Sequence, residues 1–253
     1  MIEQDETRHR VSGVPQKAMK ENFSMIGLPR ERLGEAAELL ARCFYTNPNF
    51  IDLFPGQRAQ SLALRRMFAA GLRDALGFGH VYAATRKAER STGDELVGMA
   101  LWLPPGAFPL SAARQLRALP GMAGVLAAAA RSARRLLRYT ASIARLHPAQ
   151  PYWYLEVVGV DPPAARGLGI GTRLLEPVLA LADEAGQRCY LETMTERNVT
   201  WYRSLGFEVR DGGVRFVPRG PPNWTMIRHP VRDQAGRDRE SKGSDGAQRG
   251  ETR

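Results

Sequence analysis

The chain has 253 residues, 43% of them hydrophobic and 25% charged, with a formal net charge of +10. That is an ordinary globular composition with enough length for a real core, and no apolar run approaches the ~20 residues that cross a bilayer. MIEQDETRHR at the start lacks the apolar stretch of a secretory signal, and Cys43 and Cys189 follow no metal spacing, so a cytoplasmic chain with two reduced, buried thiols and no membrane partner is expected. Residues 1–22 are polar and aperiodic and are expected to be disordered. SMIGL (24–28) reads as a strand. ERLGEAAELLARCF (31–44) puts Leu33, Leu40 and Phe44 on one helical face, and 58–76 reads as a second helix through Leu64, Phe68 and Leu72. HVYAAT (80–85) and ELVGMALWL (95–103) read as an antiparallel pair around a polar loop, and PPG stops the second strand.

From Pro104 to Pro151 there is no Asp or Glu, but there are seven arginines: Arg114, Arg117, Arg131, Arg134, Arg135, Arg138 and Arg145. The basicity is therefore local. This arm (104–150) reads as helical, broken at Pro120–Gly121, with Leu126, Ala133, Leu137, Ile143 or Ala144, and Leu146 able to share a face. Its two aromatics, Phe108 and Tyr139, give poor support for base stacking, so a nucleic-acid partner is disfavoured; a solvated helix face or steering of anions are the other readings. PYWYLEVVGV (151–160) is the next strand, followed by a glycine turn and a helix to about Ala185. Pro177 would kink that helix without ending it. RCYLET (188–193) is a strand, NVTWYRSLG (198–206) a short helix, and FEVR and NWTMIR (223–228) are strands. The tail from Val231 has almost no apolar residue and is expected to be disordered. The order implies one α/β domain with a mixed sheet over residues 23–230, with the arm inserted, rather than a doubly wound alternation.

RGLGIG (166–171) sits between a strand and a helix, where glycines let the backbone approach an anion and the first helical amides point at it. A Walker loop fails for want of its lysine, and the glycine spacing fails the dinucleotide fingerprint. The R-x-x-G-x-G pattern of Arg166, Gly169 and Gly171 remains. The four histidines, His9, His80, His147 and His229, pair with nothing at metal spacing, and no metal is assigned.

VGVDP (158–162), RGLGIG, YLET (190–193) and RNVTWYRSLGF (197–207), in that order, resemble the acyl-CoA-binding half of the GNAT N-acetyltransferases, and most of all the puromycin N-acetyltransferase-like branch. The resemblance runs over about 24–230, strongly from 150 on. It implies a central sheet splayed beside a bulge in strand 152–160, acetyl-CoA as cosubstrate, and a primary amine as acceptor. Val158, Gly159 and Val160 would pair with the pantetheine arm. Arg166, Gly167, Leu168, Gly169, Ile170, Gly171 and Thr172 would hold the pyrophosphate, and Asn198 would bond the CoA arm. Tyr202, one turn on from Asn198, matches the family's general acid; a phenol can protonate a departing thiolate. Glu156 and Glu192 lie in otherwise apolar strands, where a carboxyl is pushed toward the range of a working base. Glu156 matches the place of a basic residue in other members, but puromycin-type members lack an acid there and keep the LET run. Either carboxylate, or a water-relayed pair, remains open as the base. A small-molecule amine is the expected acceptor; a protein Lys or N-terminus is the rival within enzymes, and a non-catalytic acyl-CoA sensor is the rival outside them. Monomer and homodimer both remain open.

Overall fold

The computed structural model describes residues 23–87, 93–128, 132–161 and 167–231. The expected disorder of 1–22 and of the tail beyond Val231, and the middle of the 86–94 loop, lie outside those residues. The elements are β1 (Phe23–Gly27), α1 (Leu33–Phe44), α2 (Pro48–Leu53), α3 (Gln57–Ala75), β2 (Val81–Lys87), β3 (Asp94–Leu103), α4 (Ala112–Ala128), α5 (Ala133–Leu146), β4 (Tyr152–Val160), α6 (Ile170–Glu184), β5 (Arg188–Thr193), α7 (Glu196–Ser204), β6 (Glu208–Val214) and β7 (Asn223–Arg228). Seven strands form one open sheet in the order β1-β2-β3-β4-β5-β7-β6. Its pairs are antiparallel except for β4 with β5. This is the mixed, helix-flanked sheet expected of the α/β class.

The sheet separates two cores. One face meets α1, α2, α3 and α5 through Leu40, Phe50, Leu64, Phe68, Leu136 and Tyr139. The other meets α6 and α7 through Ile170, Leu174, Val178, Val199 and Tyr202. The alternation of β4 explains the division: Tyr152 and Tyr154 face the first core, Trp153 and Leu155 the second. α6 runs unbroken through Pro177. Its end is tied to β7 by Arg228, whose Nη1 and Nη2 donate to Asp183 Oδ1 and Oδ2, each at 2.7 Å.

Three expectations need correction. α4 passes straight through Pro120 instead of breaking there, because it lies along α3, where Arg66 Nη1 donates to Gly124 O at 3.0 Å; tertiary packing offsets the one backbone bond that proline removes. The arm is two helices, and its apolar stripe is shifted. Leu137 is 63% exposed whereas Leu136 and Tyr139 are buried, with Ile143 and Leu146 packed behind them; the side chain of Leu126 lies outside the described set. α2 is an element that periodicity does not announce. Its start is marked by Asn47, whose side chain accepts from the N–H of Asn49 at 3.0 Å, and by Pro48 in the first turn.

Candidate active site

β4 stays with β5 from Tyr152↔Arg188 to Leu155↔Leu191 and no further. There the register against β3 slips: Trp102 pairs with Leu155 and Leu101 with Val157. Glu156 is therefore the extra residue of a bulge, which bends the strand and steepens its twist. Beyond it, Val157–Val160 follow β3, while Glu192 and Thr193 follow β7. The facing edges part and leave main-chain groups open between them, a place where an extended ligand arm can add as a strand. Val158 and Val160 lean on the α6 side. Gly159 faces the other way, and a Cβ there would stand 3.0 Å from Leu40 Cδ2 and 3.2 Å from Cys43 Sγ. Its small size admits α1 onto the strand.

Arg166 lies outside the described residues. Gly167 and Leu168 lead into Gly169, the N-cap of α6, at φ 70° and with no capping side chain. The first backward helical bond is from the Arg173 N–H to Gly169 O, at 3.1 Å. The N–H groups of Ile170, Gly171 and Thr172 therefore have no partner among the described residues, and they are aimed along the helix dipole. This orphaned donor set suits a pyrophosphate. Gly171 has a second duty, because a Cβ there would stand 3.0 Å from the Trp201 ring, so its absence lets α6 and α7 meet. Ile170 is buried and anchors the turn.

α7 begins after Thr195, whose hydroxyl accepts from the N–H of Asn198 at 3.3 Å. The cap is thus Thr195, and the Asn198 side chain is exposed. Tyr202, one turn on, packs against Trp201 and Phe207 in the α6–α7 core, at ring separations of 4.6 and 5.7 Å. Burial raises its phenol above the usual range, and its hydroxyl has no hydrogen-bond partner among the described residues.

Glu156 and Glu192 point to the opposite face from Tyr202, but their surroundings differ. Glu156 reaches solvent yet is hemmed in by protein, with Oε1 3.2 Å from where a Cβ on Gly71 of α3 would stand. Its carboxyl is pushed up to about 7, first by lost hydration, then by Asp74, against an opposing pull from Arg114, with Glu192 adding to the rise. Asp74 itself holds Arg114 of α4 through Arg114 Nε, at 2.9 Å. Glu192 is enclosed. Its Oε2 accepts from the Tyr154 hydroxyl at 2.9 Å, and Oε1 lies 3.0 Å from His147 Nε2 with both side chains nearly fully buried. No hydrogen bond forms across that last contact, and neither atom has another partner among the described residues.

His147, which has no metal spacing in the sequence, joins the site through Glu192 and Tyr152. Its Nδ1 lies 2.5 Å from the Tyr152 hydroxyl, and Phe108 stacks on its ring at 3.9 Å. The available signal was helical spacing: Leu136, Tyr139, Ile143 and Leu146 form a buried stripe that ends at His147. Among the described residues no group of three or more His, Cys, Asp or Glu side chains is placed to hold a metal.

The sequence model of the acetyltransferase (GNAT) family matches residues 78–207. Over 82 residues the chain is 43% identical to the N-alpha-acetyltransferase RimI of Mycobacterium tuberculosis, covering 31% of this chain and 49% of that one. Over 100 residues it is 40% identical to an uncharacterised protein of Mycobacterium leprae, covering 39% and 27%. The chain thus spans about half or less of the length of these curated relatives. Among solved structures, a histone acetyltransferase HPA2 and related acetyltransferase from Corynebacterium glutamicum matches with a TM-score of 0.60 at 23% identity, over 84% of this chain and 99% of that one; this is a likeness of fold.

Proposed function

Because the chain belongs to the acetyltransferase (GNAT) family, we propose that it transfers an acetyl group from acetyl-CoA to a primary amine of a small molecule by direct attack. The observation that carries this reading is the parting of β4 from β5 after Leu155↔Leu191, with the Tyr202 phenol on one face of the sheet and the carboxyls of Glu156 and Glu192 on the other. Acetyl-CoA, when bound, supplies an acetyl group activated as a thioester. The free amides of 170–172 and the opened edge of Val158–Val160 hold the ends of an extended phosphate-bearing arm, and Asn198 lies beside its path. Tyr202 donates the proton that a departing thiolate needs. On the other face a base must take the amine's proton. Glu156 fills that role better than Glu192, since it reaches solvent and its value near 7 suits general catalysis at neutral pH. Both oxygens of Glu192 face buried partners, so Glu192 acts by positioning Tyr154 and His147. Helices α4 and α5 crowd this face through Arg114 and His147, which favours a small acceptor over a broad protein surface. A second reading, transfer to a protein α-amine, is favoured by the segment shared with RimI.

The test is Tyr202→Phe, assayed by free-thiol release on a panel of small amines and N-terminal peptides. The variant keeps the packed ring and loses the proton, so kcat should fall about 10²–10⁴-fold with CoA affinity unchanged. A near-normal kcat on a good acceptor would remove the phenol from the mechanism. Faster turnover of peptides than of every small amine would replace the first reading with the second.

A further inference from the structure

A recess of about 580 Å³ opens between α2, α5 and the segment joining β6 to β7, lined by Asp52, Arg134, Arg135, Arg138, Val217 and Arg219 among others. Its size is that of a small-molecule site, and its charge is one-sided. Arg135 grips Asp52 with two bonds, Nε to Oδ2 at 2.7 Å and Nη2 to Oδ1 at 2.6 Å. That pair takes up the only acid in the lining and ties α5 to α2. Arg134, Arg138 and Arg219 have no hydrogen-bond or ion-pair partner among the described residues, and all three reach solvent. Arg134 and Arg138 stand one helical turn apart on one face. The first turn of α5, from its N-cap Ser132, forms part of the same wall, so the positive end of the helix dipole adds to the field.

Arg219 distinguishes the recess from a solvated helix face. It is the third residue of the turn Val217–Gly220, closed by the Gly220 N–H on Val217 O at 2.9 Å. Its φ is 60°, and among the described residues it is the one residue other than glycine with positive φ. A turn of that shape places Gly or Asn there, because a Cβ is crowded in the left-handed region. The glycine of this turn stands one position further on, at 220, and the strained position carries a long cation. The turn is held firmly enough to keep the strain: Phe216 and Val217 are buried, and Arg215 Nη1 donates to Gly220 O. A cation kept where any side chain is disfavoured, beside two further unpaired guanidiniums, marks a ligand site rather than a packing need.

We propose that the recess is a second anion site, which takes a small diphosphate or bisphosphate. Four arginines against one aspartate leave the lining three positive charges in excess, and two phosphate groups carry about three to four negative charges near neutral pH. Guanidiniums approaching from α5 and from the turn need oxygens on more than one side of the ligand. Two phosphates supply them, whereas a carboxylate offers two oxygens in one plane. Its place in the fold sets the recess apart from both parts of the candidate active site. The amides of 170–172 belong to the α6 side of the sheet, and Val217, Leu136 of α5 and Leu53 of α2 belong to the other. On that other side, Arg138 precedes His147, the residue that meets Glu192, by about 14 Å of helical rise. The occupant is therefore a further ligand, bridging α5 to the β6–β7 turn, and the proposal is independent of the transferase reading.

The test uses the full chain, a triple variant carrying Arg134→Gln, Arg138→Gln and Arg219→Gln, and the single variant Arg219→Gly; the Arg135–Asp52 pair stays intact in both. Inorganic pyrophosphate is titrated calorimetrically with CoA at saturation, so that the amides of α6 are occupied. Comparing wild type with the triple variant reads the recess even where CoA does not bind. Wild type should bind pyrophosphate at least about tenfold more tightly than orthophosphate or malonate, and the triple variant should lose at least about tenfold of its pyrophosphate affinity, with CoA affinity and melting temperature close to wild type. Arg219→Gly relieves the backbone strain, so it should melt at or above wild type without ligand and yet bind pyrophosphate more weakly. Equal pyrophosphate affinity in wild type and the triple variant overturns the proposal, as does a wild-type affinity no better than that for orthophosphate or malonate. Full pyrophosphate affinity in Arg219→Gly overturns it too, since the strained turn would then hold no ligand. Sedimentation with phosphatidylcholine vesicles, with and without phosphatidylinositol bisphosphate, separates the sources of the anion. Arginine-dependent pelleting that free pyrophosphate reverses supports the site with a lipid headgroup in it, and pyrophosphate binding without pelleting supports it with a soluble diphosphate.

Discussion

Glu156 is both the bulged residue of β4 and an acid held far from its ordinary range, rising from 4.5 to about 7. The raised value means that the native state keeps this proton after the unfolded chain has lost it. Between about pH 4.5 and 7 the folded form binds more protons, so stability falls as pH rises through that window. Glu156→Gln retains the neutral shape and should melt higher than the parent at pH 8, with the difference shrinking toward pH 5. Because the carboxyl reaches solvent, the gain should be smaller than the full shift implies. The same variant should lose the acidic limb of the rate profile near pH 7. A melting difference that does not change with pH would assign the effect to packing rather than to ionisation. At Gly169 the backbone sits at φ 70°, which a β-branched side chain tolerates poorly. Gly169→Val should cost about 1–2 kcal/mol of stability. It should also weaken CoA binding by at least about tenfold by turning the orphaned amides away, and undiminished CoA affinity would show that the anion is held elsewhere.

At the scale of the element, the arm shows how packing selects among faces that a sequence leaves equivalent. Leu136 and Leu137 are adjacent and chemically identical, yet Leu136 is 5% exposed and Leu137 63%. Leu136→Ala should destabilise by about 2–5 kcal/mol, while Leu137→Ala should stay within about 0.5 kcal/mol. Chemical denaturation of the two variants checks the register directly, and equal effects would overturn it. The same helix delivers His147 to Glu192 and Arg135 to Asp52, so a shift of register would dismantle the carboxylate cage and the Arg135–Asp52 pair together. α7 makes the complementary point on the other face. Thr195 caps it, which leaves the Asn198 side chain exposed and places Tyr202 one turn further on, in the core.

Across the whole molecule, the last described contact is informative. The Val231 N–H donates to Asp183 Oδ1 at 2.8 Å, on the carboxylate already gripped by Arg228. The sequence beyond it is almost without apolar residues. A chain ending at Val231 should therefore keep its melting temperature and CoA affinity. One ending before Arg228 should lose several kcal/mol, because Asp183 would lose all three nitrogens that hold it. A large loss in the first truncation would show that the tail docks. Among the described residues no helix is long and apolar enough to cross a membrane.

Local periodicity and motif order were sufficient to read most of the strands, the helix through Pro177, the glycine turn at the head of α6, and the pairing of Asn198 with Tyr202 on one short helix. These features depend on neighbours within a few residues, where backbone preference and side-chain spacing decide the outcome. The sequence also singled out Glu156 and Glu192 as acids in apolar strands. Which of them keeps contact with water was decided only by tertiary structure, through the bulge that turns Glu156 toward Gly71 and the enclosure of Glu192 by Tyr154 and His147. The straight course of α4 across Pro120, the burial of Leu136 instead of Leu137, and the pairing of Arg135 with Asp52 were likewise beyond local reading. Each depends on contacts between residues far apart in the chain, and propensity carries no information about such partners.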